Sequence, residues 1–160
     1  MKMLAVSLFA CAMMALTRAA EESPIIKRST SCPSGWTGYN GRCFSYIPTA
    51  MTWANAERHC QNLGGNLASV HSFNEQHAIQ SMILQQAHAY PLTWLGGSDA
   101  AQEGTWFWSD GKPFRFNYWD KGQPDNYANA HCLAMNYGDL KKFDDQPCYY
   151  TKPFVCAMKP

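Results

Sequence analysis

The sequence has neither a basic cluster nor a long hydrophobic run, and each absence excludes a class of partner. From Cys32 to Pro160 there are nine lysines and arginines against ten aspartates and glutamates, with no grouping that could neutralise phosphates. The longest apolar stretch, residues 3–16, is well short of the roughly 20 residues that a helix needs to cross a bilayer. We therefore expect no nucleic acid partner, no association with anionic membranes and no membrane span.

Motifs of catalysis and of structural zinc sites are absent as well. There is no G-x-S-x-G elbow, no H-E-x-x-H helix and no phosphate-binding glycine loop. No C-x-x-C or H-x-x-x-H spacing occurs among the cysteines and the five histidines, which argues against zinc. The sequence also lacks an N-x-S/T sequon, so no N-linked glycan is expected. We expect a protein that is not an enzyme.

The N-terminal stretch is typical of a secretory signal peptide. Lys2 provides a positive charge, residues 3–16 are apolar apart from Ser7, and the following residues end in two alanines suited to cleavage. We predict a signal peptide over residues 1–19, a flexible polar arm over residues 20–31 and one domain over residues 32–160. The protein is accordingly expected to be secreted and extracellular.

Seven cysteines form an even set once Cys11 is assigned to the signal peptide. The six that remain are Cys32, Cys43, Cys60, Cys132, Cys148 and Cys156. In an oxidising compartment an even set predicts three disulfide bonds and no free thiol. Spacing alone does not choose among the pairings that six cysteines allow.

Two predicted helices precede a strand-rich half. Apolar residues recur at helical spacing across residues 49–63, and a capping box from Ser72 to Glu75 opens a second apolar stripe over residues 73–86. Short runs rich in aromatic and branched residues then predict strands. These runs are residues 93–95, 105–108, 132–135 and 154–156. Helices followed by strands indicate an α+β domain with a mainly antiparallel sheet.

A long polar segment, residues 109–130, is where we expect the function to lie. It contains too few aliphatic residues for a helix or a buried strand, yet its aromatic content argues against disorder. Five tryptophans are expected in or near the core, and all but the first of them fall on predicted helix and strand positions. They are Trp36, Trp53, Trp94, Trp106 and Trp108.

Seven short motifs occur in a specific order from Cys32 to the C-terminus. They are Cys32-Pro33-x-Gly35-Trp36, Trp53-Ala54-x-Ala56-Glu57, Leu67-Ala68-Ser69-Val70-His71-Ser72, Trp94-Leu95-Gly96-Gly97, Trp106-x-Trp108-Ser109-Asp110-Gly111, Asp144-Asp145-x-Pro147-Cys148 and Phe154-Val155-Cys156. Together they resemble the long-form C-type lectin-like domain. Within that family they resemble secreted fish lectins of the ladderlectin and nattectin type and the type II antifreeze proteins of smelt and herring.

This resemblance implies both a fold and a disulfide pattern. The implied fold has two helices, mainly antiparallel sheets and a long loop that binds calcium and sugar. The implied bonds join Cys32 to Cys43, Cys60 to Cys156, and Cys132 to Cys148. Each closure can stabilise the fold by roughly 2 to 4 kcal/mol, mainly because it restricts the unfolded chain.

The resemblance also implies a calcium site. Gln123-Pro124-Asp125 matches the galactose-type triplet of the family, whose proline is cis, and Asp144 and Asp145 match the pair before the next cysteine. In the family these residues hold a calcium ion to which two sugar hydroxyls bind, and calcium takes about six to eight hard oxygen ligands. Tyr127 matches an aromatic ring that contacts the sugar's apolar face. The implied metal and sugar ligands are thus Gln123, Asp125, Asp144 and Asp145, with Tyr127 as a further sugar contact.

Some positions depart from the family pattern. Ala130 stands where a glutamate ligand is usual, and Asp144 stands where asparagine is common, so the number of carboxylates stays at three. We expect calcium to bind more weakly than in a relative with the full site, with Asn129 or water completing the shell. A second calcium position of the family is also incomplete, because Asp99 and Glu103 are accompanied by His131 where an acid would help.

These features together predict a secreted, calcium-dependent, galactose-type lectin that acts in innate defence, with its oligomeric state left open. Ice binding is one alternative, although the antifreeze relatives carry four further cysteines at the positions of Ala100, Asp120, His131 and Lys142. A protein-binding domain with a decayed sugar site is another, and Ala130 favours it. Taken alone, the loop triplet Gln123-Pro124-Asp125 and the acidic pair Asp144-Asp145 could each be an ordinary turn.

Overall fold

The computed structural model describes residues 31–160. The predicted signal peptide over residues 1–19, and all of the predicted arm except Ser31, lie outside the described residues. The chain from residue 31 onward contains two helices, α1 (Trp53–Asn62) and α2 (Phe73–Ala87). The strands are β1 (Thr37–Tyr39), β2 (Arg42–Met51), β3 (Asn66–Leu67), β4 (Thr93–Ser98), β5 (Phe107–Trp108), β6 (Cys132–Tyr137), β7 (Lys142–Gln146) and β8 (Lys152–Met158).

The two predicted helices are present, and one of them starts later than predicted. Helix α1 begins at Trp53 because Thr52 is its N-cap, with Oγ1 accepting a hydrogen bond from the Asn55 backbone N–H at 3.4 Å. The preceding residues belong instead to β2, where Met51 pairs with Lys152. Helix α2 begins as predicted, with the Ser72 hydroxyl accepting from the Glu75 N–H at 3.1 Å. It ends at Ala87, before a left-handed His88.

The strands form a single sheet in the order β1-β2-β8-β4-β6-β7, with β3 added to β8 and β5 added to β4. All pairs are antiparallel except β4 with β8. The predicted strands at residues 93–95, 132–135 and 154–156 lie within β4, β6 and β8, and the one at residues 105–108 shortens to β5. Strand β7 has no counterpart among the predicted runs, and neither have β1, β2 and β3. The sequences of these last three strands carry glycine, proline and asparagine, and long-range pairing overrides these local signals.

Buried residues of the helices and the central strands form two hydrophobic clusters. Trp94 and Trp108 are buried in these clusters, and Trp36, Trp53 and Trp106 pack against them, which confirms the expected placement of the tryptophans. Gly96 allows the close approach of β4 to β3, because a Cβ at this position would lie 2.7 Å from the Leu67 carbonyl oxygen. Among residues 31–160, no helix has the length and apolarity that a membrane crossing requires.

Three disulfide bonds join the pairs that the family resemblance implies, Cys32–Cys43, Cys60–Cys156 and Cys132–Cys148. The Cys60–Cys156 bond fastens α1 to β8 in the middle of the sheet. The Cys132–Cys148 bond joins the start of β6 to the turn that follows β7. This last bond lies beside the acidic pair and holds the strands that carry the candidate site.

Candidate functional site

A cavity of about 200 Å³ lies between strand β7 and the long loop, which is the polar segment of residues 109–130. Its lining residues are Gln123, Asp125, Tyr127, Tyr137, Asp144, Asp145, Gln146, Pro147 and Tyr150. The structure therefore brings together in one pocket all five residues that the sequence predicted as metal or sugar ligands.

The long loop is attached to β7 just before the acidic pair. The Asp120 N–H donates to the Phe143 carbonyl at 2.9 Å, and the Phe143 N–H donates to the Tyr118 carbonyl at 2.9 Å. A turn follows, in which the Gln123 N–H donates to the Asp120 carbonyl at 3.0 Å, and the Gln123–Pro124 peptide bond is cis. These bonds place the loop triplet directly against the residues after Phe143.

Asp145 holds the loop by accepting hydrogen bonds from two of its backbone groups. Its carboxylate oxygens accept from the Asp125 N–H at 3.0 Å and from the Asn126 N–H at 2.7 Å. The Asp125 carboxylate in turn accepts from the Tyr127 N–H at 2.9 Å. Both carboxylates are thereby fixed in position, and each keeps lone pairs for a further partner.

Asp144 and Asp145 are both about 97% buried, although adjacent residues of a strand point to opposite faces. Burial raises the pKa of Asp144 to about 6. A hydrogen bond from the Gln146 side-chain amide and the charge of Lys152 lower this pKa, whereas the charges of Asp145 and Asp125 raise it. Three carboxyl groups thus line one pocket, and the repulsion between their charges favours a bound cation or proton.

The chemistry of the donor atoms in the pocket suits calcium. The Gln123 Oε1 atom is buried and has no hydrogen-bond partner among the described residues, which is costly unless another group satisfies it. Three carboxylates and this amide oxygen are hard oxygen ligands of the kind that calcium prefers. Gln123, Asp125, Asp144 and Asp145 would therefore be the residues that hold the ion.

Neither Ala130 nor Asn129 contributes to this oxygen set. Ala130 is fully buried and does not line the pocket. Asn129, which the sequence suggested as a replacement ligand, is exposed and also lies outside the lining. Among the described residues the pocket therefore has three carboxylates, those of Asp125, Asp144 and Asp145, and no side-chain oxygen from position 130.

The second calcium position of the family resemblance forms a cluster of its own. The His131 Nδ1 atom lies 2.9 Å from Asp99 Oδ1 and 3.2 Å from Glu103 Oε2. Asp99 is buried, and its other oxygen accepts from the Gly104 N–H at 2.8 Å. Two of the three groups are acidic, and the imidazole pairs with both of them.

Several residues of the pocket were not predicted. Tyr137 and Tyr150 line it from the end of β6 and from the turn after β7, and Gln146 donates to Asp144. Gln146 lies one residue beyond the acidic pair, so proximity in sequence was a usable signal. The two tyrosines have no such signal, because only the pairing of β6 with β7 and the disulfide beside them place them near the loop.

Comparison with known proteins gives one consistent result. A family model described as Lectin C-type domain matches residues 49–158. The chain is 42% identical to a type-2 ice-structuring protein of Hemitripterus americanus, covering 98% of this chain and 99% of that protein. It is also 42% identical to the galactose-specific lectin nattectin of Thalassophryne nattereri, covering 83% and 84%. The structure of herring type II antifreeze protein superimposes with a TM-score of 0.75 at 34% identity, covering 81% of this chain and 99% of that one.

Proposed function

The chain belongs to the C-type lectin domain family, and from this membership we propose that it is a calcium-dependent lectin that binds galactose-type glycans. One observation carries the proposal: the five side chains of the calcium and sugar pattern line a single pocket, and one of their oxygens, Gln123 Oε1, is buried without a partner. A protein-binding surface on a decayed site would not require three carboxylates and a buried amide oxygen in one pocket.

Each side chain of the pocket has a separate role in the proposal. Gln123, Asp125, Asp144 and Asp145 hold the calcium ion, which supplies coordination positions for two sugar hydroxyls when it is bound. Asp145 also positions the loop through the backbone groups of Asp125 and Asn126. Tyr127 is 78% exposed, and its ring offers an apolar surface to the C–H face of the sugar. The Gln-Pro-Asp order and the likeness to a galactose-specific relative favour galactose.

Titration of the folded protein with galactose tests the proposal. Wild type should bind galactose at millimolar calcium, release it when a chelator is added, and bind mannose more weakly. Asp125→Ala should weaken galactose binding at least roughly tenfold, because it removes a charged ligand. Asp139→Ala is the matched control, since Asp139 is exposed and does not line the pocket. Galactose binding that does not change on chelation, or is equal in Asp125→Ala, contradicts the proposal.

Ice binding is a second candidate, and the identity of 42% to a type-2 ice-structuring protein is the observation that favours it. The further cysteines expected of the antifreeze relatives are absent at Ala100, Asp120, His131 and Lys142. Thermal hysteresis and the shape of ice crystals, measured on the same sample as galactose binding, separate the two functions. Hysteresis without galactose binding would favour the second candidate.

We propose secretion through the signal peptide over residues 1–19, an extracellular role in innate defence and no catalytic activity. Three disulfide bonds agree with an oxidising compartment. Expression of the full chain in animal cells should place the protein in the medium, with Edman sequencing beginning after Ala19 or Ala20. Retention inside the cells would contradict this part.

A further inference from the structure

The pocket continues into an exposed aromatic surface on the side formed by the turn after β7. Tyr150 lines the cavity and is 44% exposed, and Tyr149 beside it is 69% exposed. Their ring centroids are 5.0 Å apart, with the rings nearly perpendicular. Tyr127 and Tyr150 both line the same cavity, so two exposed aromatic rings border the proposed calcium ligands.

The ring of Tyr150 is held in place although it is not part of the core. Its N–H donates to the Pro147 carbonyl at 3.0 Å, and the intervening Cys148 is bonded to Cys132. The Lys152 ammonium lies 5.4 Å from the ring centroid, within cation–π range. Tyr150 packs against neither core cluster of residues 31–160. An exposed ring that is already positioned can contact a ligand with little loss of conformational entropy.

The size of the cavity limits what it can enclose. At about 200 Å³ it is smaller than the roughly 300 to 1,000 Å³ of pockets that enclose a whole small molecule. One sugar unit held at the calcium ligands would occupy the cavity, and a second unit linked to it would extend over the rim.

We propose that Tyr150, supported by Tyr149, contacts the second sugar unit of a galactose-terminated glycan and makes the protein select oligosaccharides over the free monosaccharide. The inference rests on the proposed function, since the first unit is the galactose at the calcium ligands. A tyrosine ring matches a sugar unit because its face contacts the C–H groups and its hydroxyl can hydrogen-bond to a sugar hydroxyl.

Calorimetric titration with galactose and with lactose, at saturating calcium, tests the inference. Wild type should bind lactose roughly three- to tenfold more tightly than galactose, as one aromatic contact can provide. Tyr150→Ala should bring the ratio of lactose affinity to galactose affinity close to one, and Tyr150→Phe should keep most of that ratio. Tyr90→Ala is the control, because Tyr90 is an exposed tyrosine that does not line the pocket.

The outcomes separate this inference from the proposed function. Equal affinity of wild type for the two sugars, or a ratio that Tyr150→Ala leaves intact, overturns the inference while the galactose site stands. Binding of neither sugar at saturating calcium overturns both. Saturation-transfer NMR on wild type needs no variant: both units of lactose should receive saturation from the protein, and a glucose unit that receives none overturns the inference.

Discussion

The ionisation of Asp144 couples the proposed site to pH. Burial raises its pKa to about 6, so the carboxyl group takes up a proton as the pH falls through that value. Calcium needs the deprotonated form, and a proton therefore competes with the ion. We predict that calcium affinity, and with it galactose affinity at fixed calcium, falls as the pH is lowered below about 6. Calorimetry from pH 7.5 to 5 checks this, and a flat profile contradicts it.

Asp144 should also make the stability of the calcium-free protein depend on pH, in the direction opposite to that of the calcium affinity. The pKa of Asp144 is about 6 in the folded protein, whereas its ordinary value of 3.8 applies in the unfolded chain, so the folded protein binds this proton more tightly. The contribution of Asp144 to the free energy of unfolding therefore falls as the pH rises from about 4 to about 6. Asp144→Asn should then raise the free energy of unfolding at pH 7.5 by up to about 3 kcal/mol, and change it little near pH 3.5. Asp139→Asn is the control in urea unfolding, because Asp139 is exposed.

Ala130 stands where the family resemblance implies a glutamate ligand of the proposed calcium site. A glutamate there adds a carboxylate next to the pocket, so we predict that Ala130→Glu binds calcium roughly tenfold more tightly in calorimetry. Because Ala130 is fully buried, the new charge should lower the melting temperature without calcium, and calcium should restore it. Calcium binding equal to or weaker than that of wild type would show that position 130 does not reach the ion.

At the scale of elements, α1 is fastened to its neighbours by one buried carboxylate. Glu57 Oε2 accepts from the Leu67 N–H at 2.8 Å and from the Ser109 hydroxyl at 2.8 Å, while Oε1 accepts from the side-chain amides of Gln61 and Asn66. These bonds join the helix to β3 and to the segment after β5. Local periodicity predicts that a helix forms here, and the three donors outside the helix explain how it is oriented.

Removing this carboxylate should destabilise the fold. We predict that Glu57→Ala lowers the free energy of unfolding by roughly 2 to 4 kcal/mol, since it leaves a backbone N–H and other buried donors unsatisfied. Arg58→Ala, on the exposed face of the same helix, should change it by less than about 0.5 kcal/mol. Chemical denaturation of both variants with disulfides intact provides the measurement, and equal effects would refute the assigned role.

At the scale of the whole molecule, the three disulfide bonds differ most in the length of chain that they close. Cys60–Cys156 spans 96 residues, whereas Cys32–Cys43 spans 11. In the chain-entropy description a longer loop restricts the unfolded state more, so replacing Cys60 and Cys156 by alanine should cost about 2 kcal/mol more than replacing Cys32 and Cys43. Denaturant unfolding of the two double variants checks the order, and the reverse order would contradict this description.

Local sequence patterns predict those elements of the protein that form within one short segment of the chain. The capping box from Ser72 to Glu75 and the apolar spacing before Cys60 predict the helices, because a helix is made within one short window of chain. An even cysteine set predicts three disulfide bonds. Their pairing, and the residues of the proposed calcium site, came from the family resemblance, which draws on motifs spread over the chain.

Only the tertiary structure decided which distant side chains share the pocket. The β6–β7 pairing and the loop's attachment at Phe143 bring Gln123 to Asp145, and the Cys132–Cys148 bond brings Tyr150 to the same rim. The burial that raises the pKa of Asp144 arises there too. The physical reason is that these contacts form between segments far apart in sequence, and no local window records the pairing that joins them.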